Sequence, residues 1–249
     1  MTSHLVDERF STLLAALGQG RAAGAPSALD PAGLPETLAE AYGIAMAQAP
    51  EVAAWKIGGA NPWSQKVFGN AEVFFGPLVP DELQVSEAEA GALPLAGLCA
   101  PLAEPEIMLE IADPEAGTFA RMGLGFEIPA SVLPEAAKPR LAGQVCDRAG
   151  AGALWIGAVR PFDGAALEAA FPVGFDHNGG APVAGDSGNV KGGPVGAARE
   201  FLGLAARYGI APAPGQWIAT GGLCPAVAVR PGDRVGLDAL GTRVELRFS

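Results

Sequence analysis

The sequence predicts an α+β fold in which a helical N-terminal segment leads into a body of short strands. Three observations carry the prediction. Apolar residues recur at helical spacing up to about residue 50 and then change to short runs broken by Gly and Pro, the pattern of strands joined by turns. The chain has 35 glycines and 22 prolines among 249 residues, which implies many turns. Its hydrophobic content of 49% is enough for a substantial core and excludes the polar composition of a disordered chain. The expected organisation is an N-terminal helical appendage over residues 1–50 and one β-rich domain over residues 51–249.

Ser3 can cap a first helix, with Leu5, Phe10, Leu13, Leu14 and Leu17 along one stripe and Gly18 and Gly20 expected to stop it. A second helix is expected from Pro35, at the favoured first-turn position, through Leu38, Ala41, Tyr42 and Met46 to Gln48. Both stripes read as packing surface against the body or a second subunit. Strands are expected at 52–57, 103–111, 123–128, 153–159, 172–175, 181–184, 216–220, 234–237 and 243–248. Asp176, His177, Asn178, Gly179 and Gly180 signal a hairpin turn between two of them. One further helix is expected from Pro194 to Tyr208, with Val195, Ala198, Leu202 and Ala205 on one face and Gly209 at its end.

A net charge of −11 and a pI near 4.6 repel phosphate backbones and anionic lipid, so neither nucleic acid nor a membrane surface is an expected partner. Cys99, Cys146 and Cys224 are odd in number, far apart and in no C-x-x-C pair, which suggests neither a disulfide framework nor a structural zinc site. A reducing cytoplasm fits that usage. The N-terminus has no charged segment followed by an apolar one, and no apolar run reaches bilayer length, so a soluble, unexported protein is expected.

The most informative stretch is Ala103 to Ala112, where Glu104, Pro105, Glu106 and Glu110 interrupt the apolar run of Ile107, Met108 and Leu109. In an extended strand Glu104 and Glu106 project together, while Pro105, Ile107 and Leu109 face the other way. A helix would instead pair Glu106 with Glu110, but Pro105 fits better at a strand start or edge. Two like charges on a half-buried strand call for a cation or hydrogen-bond donors. The alternative is a solvated edge strand with its glutamates in water.

Lys56 lies inside the apolar run Ala54, Trp55, Lys56, Ile57, and Glu127 lies inside Leu124, Gly125, Phe126, Glu127, Ile128. A snorkelling edge lysine and a paired carboxylate would explain each alone. Together with Glu104 and Glu106, Glu127 would complete an oxygen-ligand set suited to Mg²⁺ or Mn²⁺. Other candidates are weaker. His177 reads as a turn residue, and with only His4 besides there is little material for a histidine-based site. Gly185, Asp186, Ser187, Gly188 lacks the context of a nucleophile elbow, and no phosphate-binding glycine motif is present.

Seven segments occur in order: "WKIGGANPWSQKVFGNAEVFFGPLV", "EPEIMLEI", "GFEIPAS", "CDRAGAGALWIG", "GGPVGAAREFLGLAARYG" after the Gly-rich hairpin, "WIATGGLCP" and "VRPGDRV". From Val52 to the C-terminus this resembles the 2-keto-4-pentenoate hydratase branch of the fumarylacetoacetate hydrolase superfamily. The resemblance implies a mixed β-roll with N-terminal and peripheral helices and one Mg²⁺ or Mn²⁺ held by Glu104, Glu106 and Glu127. It places Lys56 beside a bound small-molecule 2-oxo acid. Thr220 and Gly221 match a "TG" segment lining the pocket, and Asp147 and Gly152 match the stretch usually written "DNASAG". Lys56, Asp147 and Thr220 are therefore the expected catalytic residues, and Gly58, Phe75, Ser131 and Gly221 the expected substrate-binding ones.

The sequence also departs from the family. Ala130 and Val132 stand where the hydratases typically have Asp and Arg, Arg148 replaces an Asn, and Phe74 or Phe75 falls where an acidic or amide group is often found. The Ala130, Val132, Phe74 and Phe75 positions suggest a hydrophobic substrate tail. The implied activity is a metal-dependent lyase that adds water to, or removes it from, an enolisable 2-oxo acid such as a 2-oxopent-4-enoate, in an enzyme of aromatic catabolism. Decarboxylation or C–C hydrolysis at the same electrophile is one alternative. A noncatalytic homologue in complex with a decarboxylase is another. A homo-oligomer is expected.

Overall fold

The structure, a computed structural model, describes residues 10–249, so the expected Ser3 cap and Leu5 lie outside the described residues. Five α-helices occur among them: α1 (Ser11–Ala23), α2 (Leu38–Ala47), α3 (Pro62–Phe68), α4 (Leu141–Cys146) and α5 (Gly193–Arg207). The strands are β1 (Ala54–Gly58), β2 (Phe74–Leu78), β3 (Leu83–Val85), β4 (Ala90–Leu93), β5 (Leu102–Asp113), β6 (Thr118–Ile128), β7 (Ala153–Pro161), β8 (Pro172–His177), β9 (Val183–Asp186), β10 (Trp217–Ala219), β11 (Val227–Ala228), β12 (Arg234–Ala239) and β13 (Thr242–Phe248).

Both sheets are mixed. The larger runs β2-β1-β10-β5-β6-β7-β3, with β11 paired to the start of β5, and the smaller runs β4-β13-β12-β8-β9. In the larger sheet β1 pairs with β10, and β3 with β7, in parallel, while β5, β6 and β7 form an antiparallel meander. Its two faces differ. Trp55, Ile57, Phe75, Ile107, Leu109, Phe126 and Trp155 point into the main core, where Phe201 of α5 packs on Trp55 and Phe75, and Phe175 of the smaller sheet approaches Phe126. The alternate residues Ala54, Leu78, Met108, Leu154, Ile156, Trp217 and Ala219, joined by Ala151, form a separate inner cluster on the opposite face. That split is the period-2 alternation of strands buried on both sides.

Three expectations need correction. Gly18 and Gly20 do not stop the first helix, which continues to Ala23 and ends at Gly24 with φ +58°. A Cβ on Gly20 would lie 3.0 Å from Ala25 O and 3.1 Å from Val132 Cβ, so this glycine lets the helix approach the body closely. The second helix starts at Leu38 instead of Pro35, because Thr37 and Glu40 form a capping box in which Thr37 Oγ1 accepts from Glu40 N and Glu40 Oε2 accepts from Thr37 N. Pro105 is not at a sheet edge, since β5 is central. Its carbonyl accepts from Leu223 N on the side where β10 has already ended, so its missing N–H faces a gap in the ladder. The hairpin is present, with Asn178 and Gly179 at φ +55° and +69° between β8 and β9.

Helices α1 and α2 contribute Leu13, Leu17, Ala41, Tyr42 and Ile44 to the main core. No helix among the described residues is long and apolar enough to cross a membrane.

Candidate metal centre

The strand alternation predicted for 103–112 is what builds the site. Glu104, Glu106, Met108 and Glu110 fall on one face of β5, and the antiparallel register sets Glu127 directly across from Glu104. Carboxylate oxygens of Glu104, Glu106 and Glu127 all lie within 4.8 Å of one another. Like charges facing each other across a ladder are destabilising, and here two of them are also fully enclosed, with Glu106 at 0% and Glu127 at 1% exposure. The solvated edge strand is thereby excluded.

Lys56 reaches the cluster from β1, where its paired neighbours are Ala219 and Gly76. Both are small and leave room for its side chain. Its Nζ lies 2.5 Å from Glu127 Oε1 and donates to Ala149 O at 2.8 Å, with the residue 6% exposed. It is therefore no snorkelling surface lysine.

Three carboxylates and one ammonium leave a formal charge of −2. Burial, and then Glu127, push the Glu104 carboxyl up to about 7, with Lys56 pulling the other way. Burial, Glu127 and Glu104 hold Glu106 well above the ordinary carboxylate range, opposed by the Gly221 N–H. Burial works against the Lys56 charge, but Glu127, Glu104 and Glu106 overcome it and keep its pKa above the usual lysine value. Glu127 Oε1 is taken by the Lys56 ammonium, and among the described residues Glu106 Oε1 and Glu127 Oε2 have no partner. Orphaned, buried, anionic oxygens facing one another suit a hard divalent cation, and Glu104, Glu106 and Glu127 are the residues that would hold it.

The surrounding backbone is tied to this cluster. Gly221, at φ +119°, donates its N–H to Glu106 Oε2 at 2.7 Å. The Thr220 hydroxyl donates to Ile107 O at 2.8 Å, anchoring the end of β10 to β5. Asn61, 5% exposed, caps α3: its Oδ1 accepts from Ser64 N at 3.0 Å and Ser64 Oγ at 2.6 Å.

Residues 148–150 form a left-handed turn with φ values of +52°, +56° and +74°, and this turn aims the Ala149 carbonyl at Lys56. It presses on β2 so closely that a Cβ on Gly76 would sit 1.8 Å from Arg148 O. Arg148 itself pairs with Glu82, its Nη1 and Nη2 donating at 2.8 and 2.7 Å.

The other expected site residues fall elsewhere. Both Asp147 oxygens are occupied: Oδ1 accepts from Arg21 at 2.6 Å, and Oδ2 from Ser131 Oγ at 2.7 Å and Val132 N at 3.0 Å. Burial raises the Asp147 pKa, against the pull of Arg21, Ser131 and Val132. Asp147 and Ser131 thus hold the turn to α1 instead of facing the carboxylates. Phe75 is on the wrong face, because strand alternation turns it into the main core, stacked on Tyr42 with ring centroids 4.3 Å apart. Phe74 shares the face of Lys56 and packs against Gly58, where a Cβ would lie 2.4 Å from its ring. Gly58 is therefore a seat for that ring. Val132 backs onto Gly20 of α1, so two of the four residues offered for a hydrophobic tail point away from the cluster.

Sequence reading missed Arg21, whose guanidinium also donates to Asp147 O at 2.7 Å and Ala151 O at 2.6 Å, and no local signal marks it. It missed Gly76 too, although a glycine inside the apolar run Phe74 to Leu78 is a signal of close backbone approach.

No family model matches the sequence, and no curated protein matches it. Solved structures do. The chain is similar to 4-oxalocrotonate decarboxylase from Pseudomonas putida G7, solved with magnesium and adipate, at a TM-score of 0.82 and 21% identity over 97% of this chain and 98% of that one. It is also similar to fumarylpyruvate hydrolase from Pseudomonas aeruginosa, in complex with Mn²⁺ and pyruvate, at 0.59 and 16% over 78% and 88%. A third is 2-hydroxyhepta-2,4-diene-1,7-dioate isomerase from Mycobacterium marinum, at 0.54 and 13% over 79% and 75%. These proteins belong to the fumarylacetoacetate hydrolase superfamily, and the chain shares their fold.

Proposed function

We propose that the chain is a divalent-metal-dependent enzyme acting on a small enolisable 2-oxo acid, and that its reaction is decarboxylation. The observation that carries the metal-dependent reading is the triad of Glu104 with the buried Glu106 and Glu127, which has unpartnered oxygens and a buried ammonium at 2.5 Å. A hard divalent ion held there would supply Lewis acidity toward the carboxylate and 2-oxo oxygens of such an acid. Two of the similar structures support the reading, one solved with magnesium and adipate and the other with Mn²⁺ and pyruvate.

The choice of reaction rests on how many proton carriers the chain places at the site. When the second carboxyl of a 2-oxo acid sits on the saturated carbon attached to the far end of a conjugated enone, loss of CO₂ breaks the C–C bond and leaves an electron pair that delocalises through the C=C onto the 2-oxo oxygen, and only one proton must then be returned. Hydration of an enoate needs a base for water as well as an acid for carbon. Among the described residues, Lys56 is the one cationic group in contact with the cluster, while Asp147 and Arg148 are committed to Arg21, Ser131 and Glu82. Held protonated, Lys56 stabilises negative charge as it grows and can return the proton.

Hydration, implied by the sequence resemblance, is the second reading. Both are tested by incubating the protein with Mg²⁺ or Mn²⁺ and either 4-oxalocrotonate or 2-hydroxypenta-2,4-dienoate. Loss of the first with release of one CO₂ supports decarboxylation, and loss of the second's ultraviolet absorbance without CO₂ supports hydration. Turnover of neither, with no binding of pyruvate to the Mn²⁺-treated protein, would overturn both. In Lys56→Met, which keeps the aliphatic stem, kcat should fall by roughly 10² to 10⁴ while KM changes far less. Unchanged kinetics would remove Lys56 from the mechanism.

A further inference from the structure

Near Glu104 the structure holds a fixed hydrogen-bond donor that the reading above does not use. Asn61 is 5% exposed, and its amide is oriented by its own helix cap: a backbone N–H can only donate, so the oxygen must face Ser64 N and the Nδ2 group must face the other way. That other way is toward the carboxylates. A Cβ built on Gly222 would lie 3.5 Å from Asn61 Nδ2 and 3.4 Å from Glu104 Oε2, so the small slot that Gly222 leaves free is bordered by both the amide donor and the carboxylate. Among the described residues Asn61 Nδ2 donates to nothing. The neighbouring Gly221 spends its own N–H on Glu106.

We infer that Asn61 is a substrate-binding residue, its Nδ2 donating to an anionic oxygen of the 2-oxo acid across the Gly222 slot. The inference rests on the proposed function, because it supplies that ligand with a donor. An amide suits the position better than a second lysine would: it offers a donor without adding positive charge that would compete with a metal ion for Glu104. Its cap bonds hold it in place before any ligand arrives, so little rotamer freedom is lost on binding.

Two substitutions separate this role from that of a helix cap. Asn61→Asp keeps the cap acceptor, since Asp serves there as well as Asn, but replaces the donor with a second acceptor. Gly222→Ala leaves Asn61 untouched and fills the slot, at the cost of a small shift where its Cβ meets Cys224 O at 3.2 Å. The measurements are calorimetric titration of Mn²⁺ into each full-length metal-stripped protein, then of pyruvate into the Mn²⁺-treated protein, with melting curves alongside. Both variants should melt within a few degrees of wild type and retain one Mn²⁺ site, yet bind pyruvate roughly 10-fold to 100-fold more weakly, the loss expected for one hydrogen bond to a charged group. Pyruvate affinity equal to wild type in both variants would overturn the inference alone and leave Asn61 as a helix cap. A wild-type protein that takes up Mn²⁺ but never pyruvate would overturn the proposed function and this inference with it.

Discussion

Glu106→Gln should make the metal-free protein more stable and the metal-treated protein less so. Glu106 is fully enclosed, its Oε2 accepts from Gly221 N, and its Oε1 has no partner among the described residues while facing two further carboxylates. In the glutamine variant the side-chain oxygen can keep the Gly221 bond, and the NH₂ replaces the orphaned oxygen with a donor to Glu104 and Glu127. Relieving one buried unsatisfied group is worth about 1–3 kcal/mol. At about 2–4 °C per kcal/mol for a chain of this length, melting in EDTA at pH 8 should rise by about 5 °C. Wild type in Mn²⁺ at about 100 times its Kd should gain about 2.7 kcal/mol, some 5–10 °C, and the variant should gain nothing. The order of melting temperatures therefore inverts between EDTA and Mn²⁺ in scanning calorimetry. A variant that melts below wild type in EDTA, or that keeps the full Mn²⁺ shift, would refute the reasoning.

Glu104 sits near 7 in the folded protein against an ordinary value of 4.5, so between those pH values the native state holds a proton that the unfolded chain releases. Metal-free stability should accordingly fall as pH rises from 4.5 to 7, and Mn²⁺ binding near pH 6 should expel protons, seen as heats that depend on buffer ionisation enthalpy; buffer-independent heats would refute this. Arg21→Ala strands the buried Asp147 carboxylate, a change that typically costs about 3–5 kcal/mol, so melting should drop by roughly 10 °C or more. Adding Asp147→Asn should recover part of that loss, and full additivity of the two substitutions would show that the pair is not coupled.

Much of the site was legible in one strand. The alternation of carboxylates with apolar residues from Glu104 to Glu110 already requires Glu104 and Glu106 on one face, and a buried like-charged pair already asks for a cation. Lys56 and Glu127 stood out for the same reason, as single charges inside apolar runs. The α+β class followed from the change of period near Val52, because helices and strands bury their apolar faces at different spacings. Short elements such as α3, α4, β3 and β4 did not announce themselves, since a few residues hold too little periodicity to register.

What only the tertiary structure decided is which of those residues meet. The β5–β6 register sets Glu127 opposite Glu104, 23 positions away, and the parallel pairing of β1 with β10 helps deliver Lys56 to Glu127, 71 positions away. Nothing local encodes such contacts. The same holds for Arg21, which no local signal marks and which the fold brings against Asp147. It holds for Phe75, where a one-residue shift along β2 separates the core face from the site face, and that choice is made by the partner strand. Residue types and local period follow from covalent chemistry and near neighbours. Which charge neutralises which depends on strand register, and register is set by burying both faces of the sheet at once.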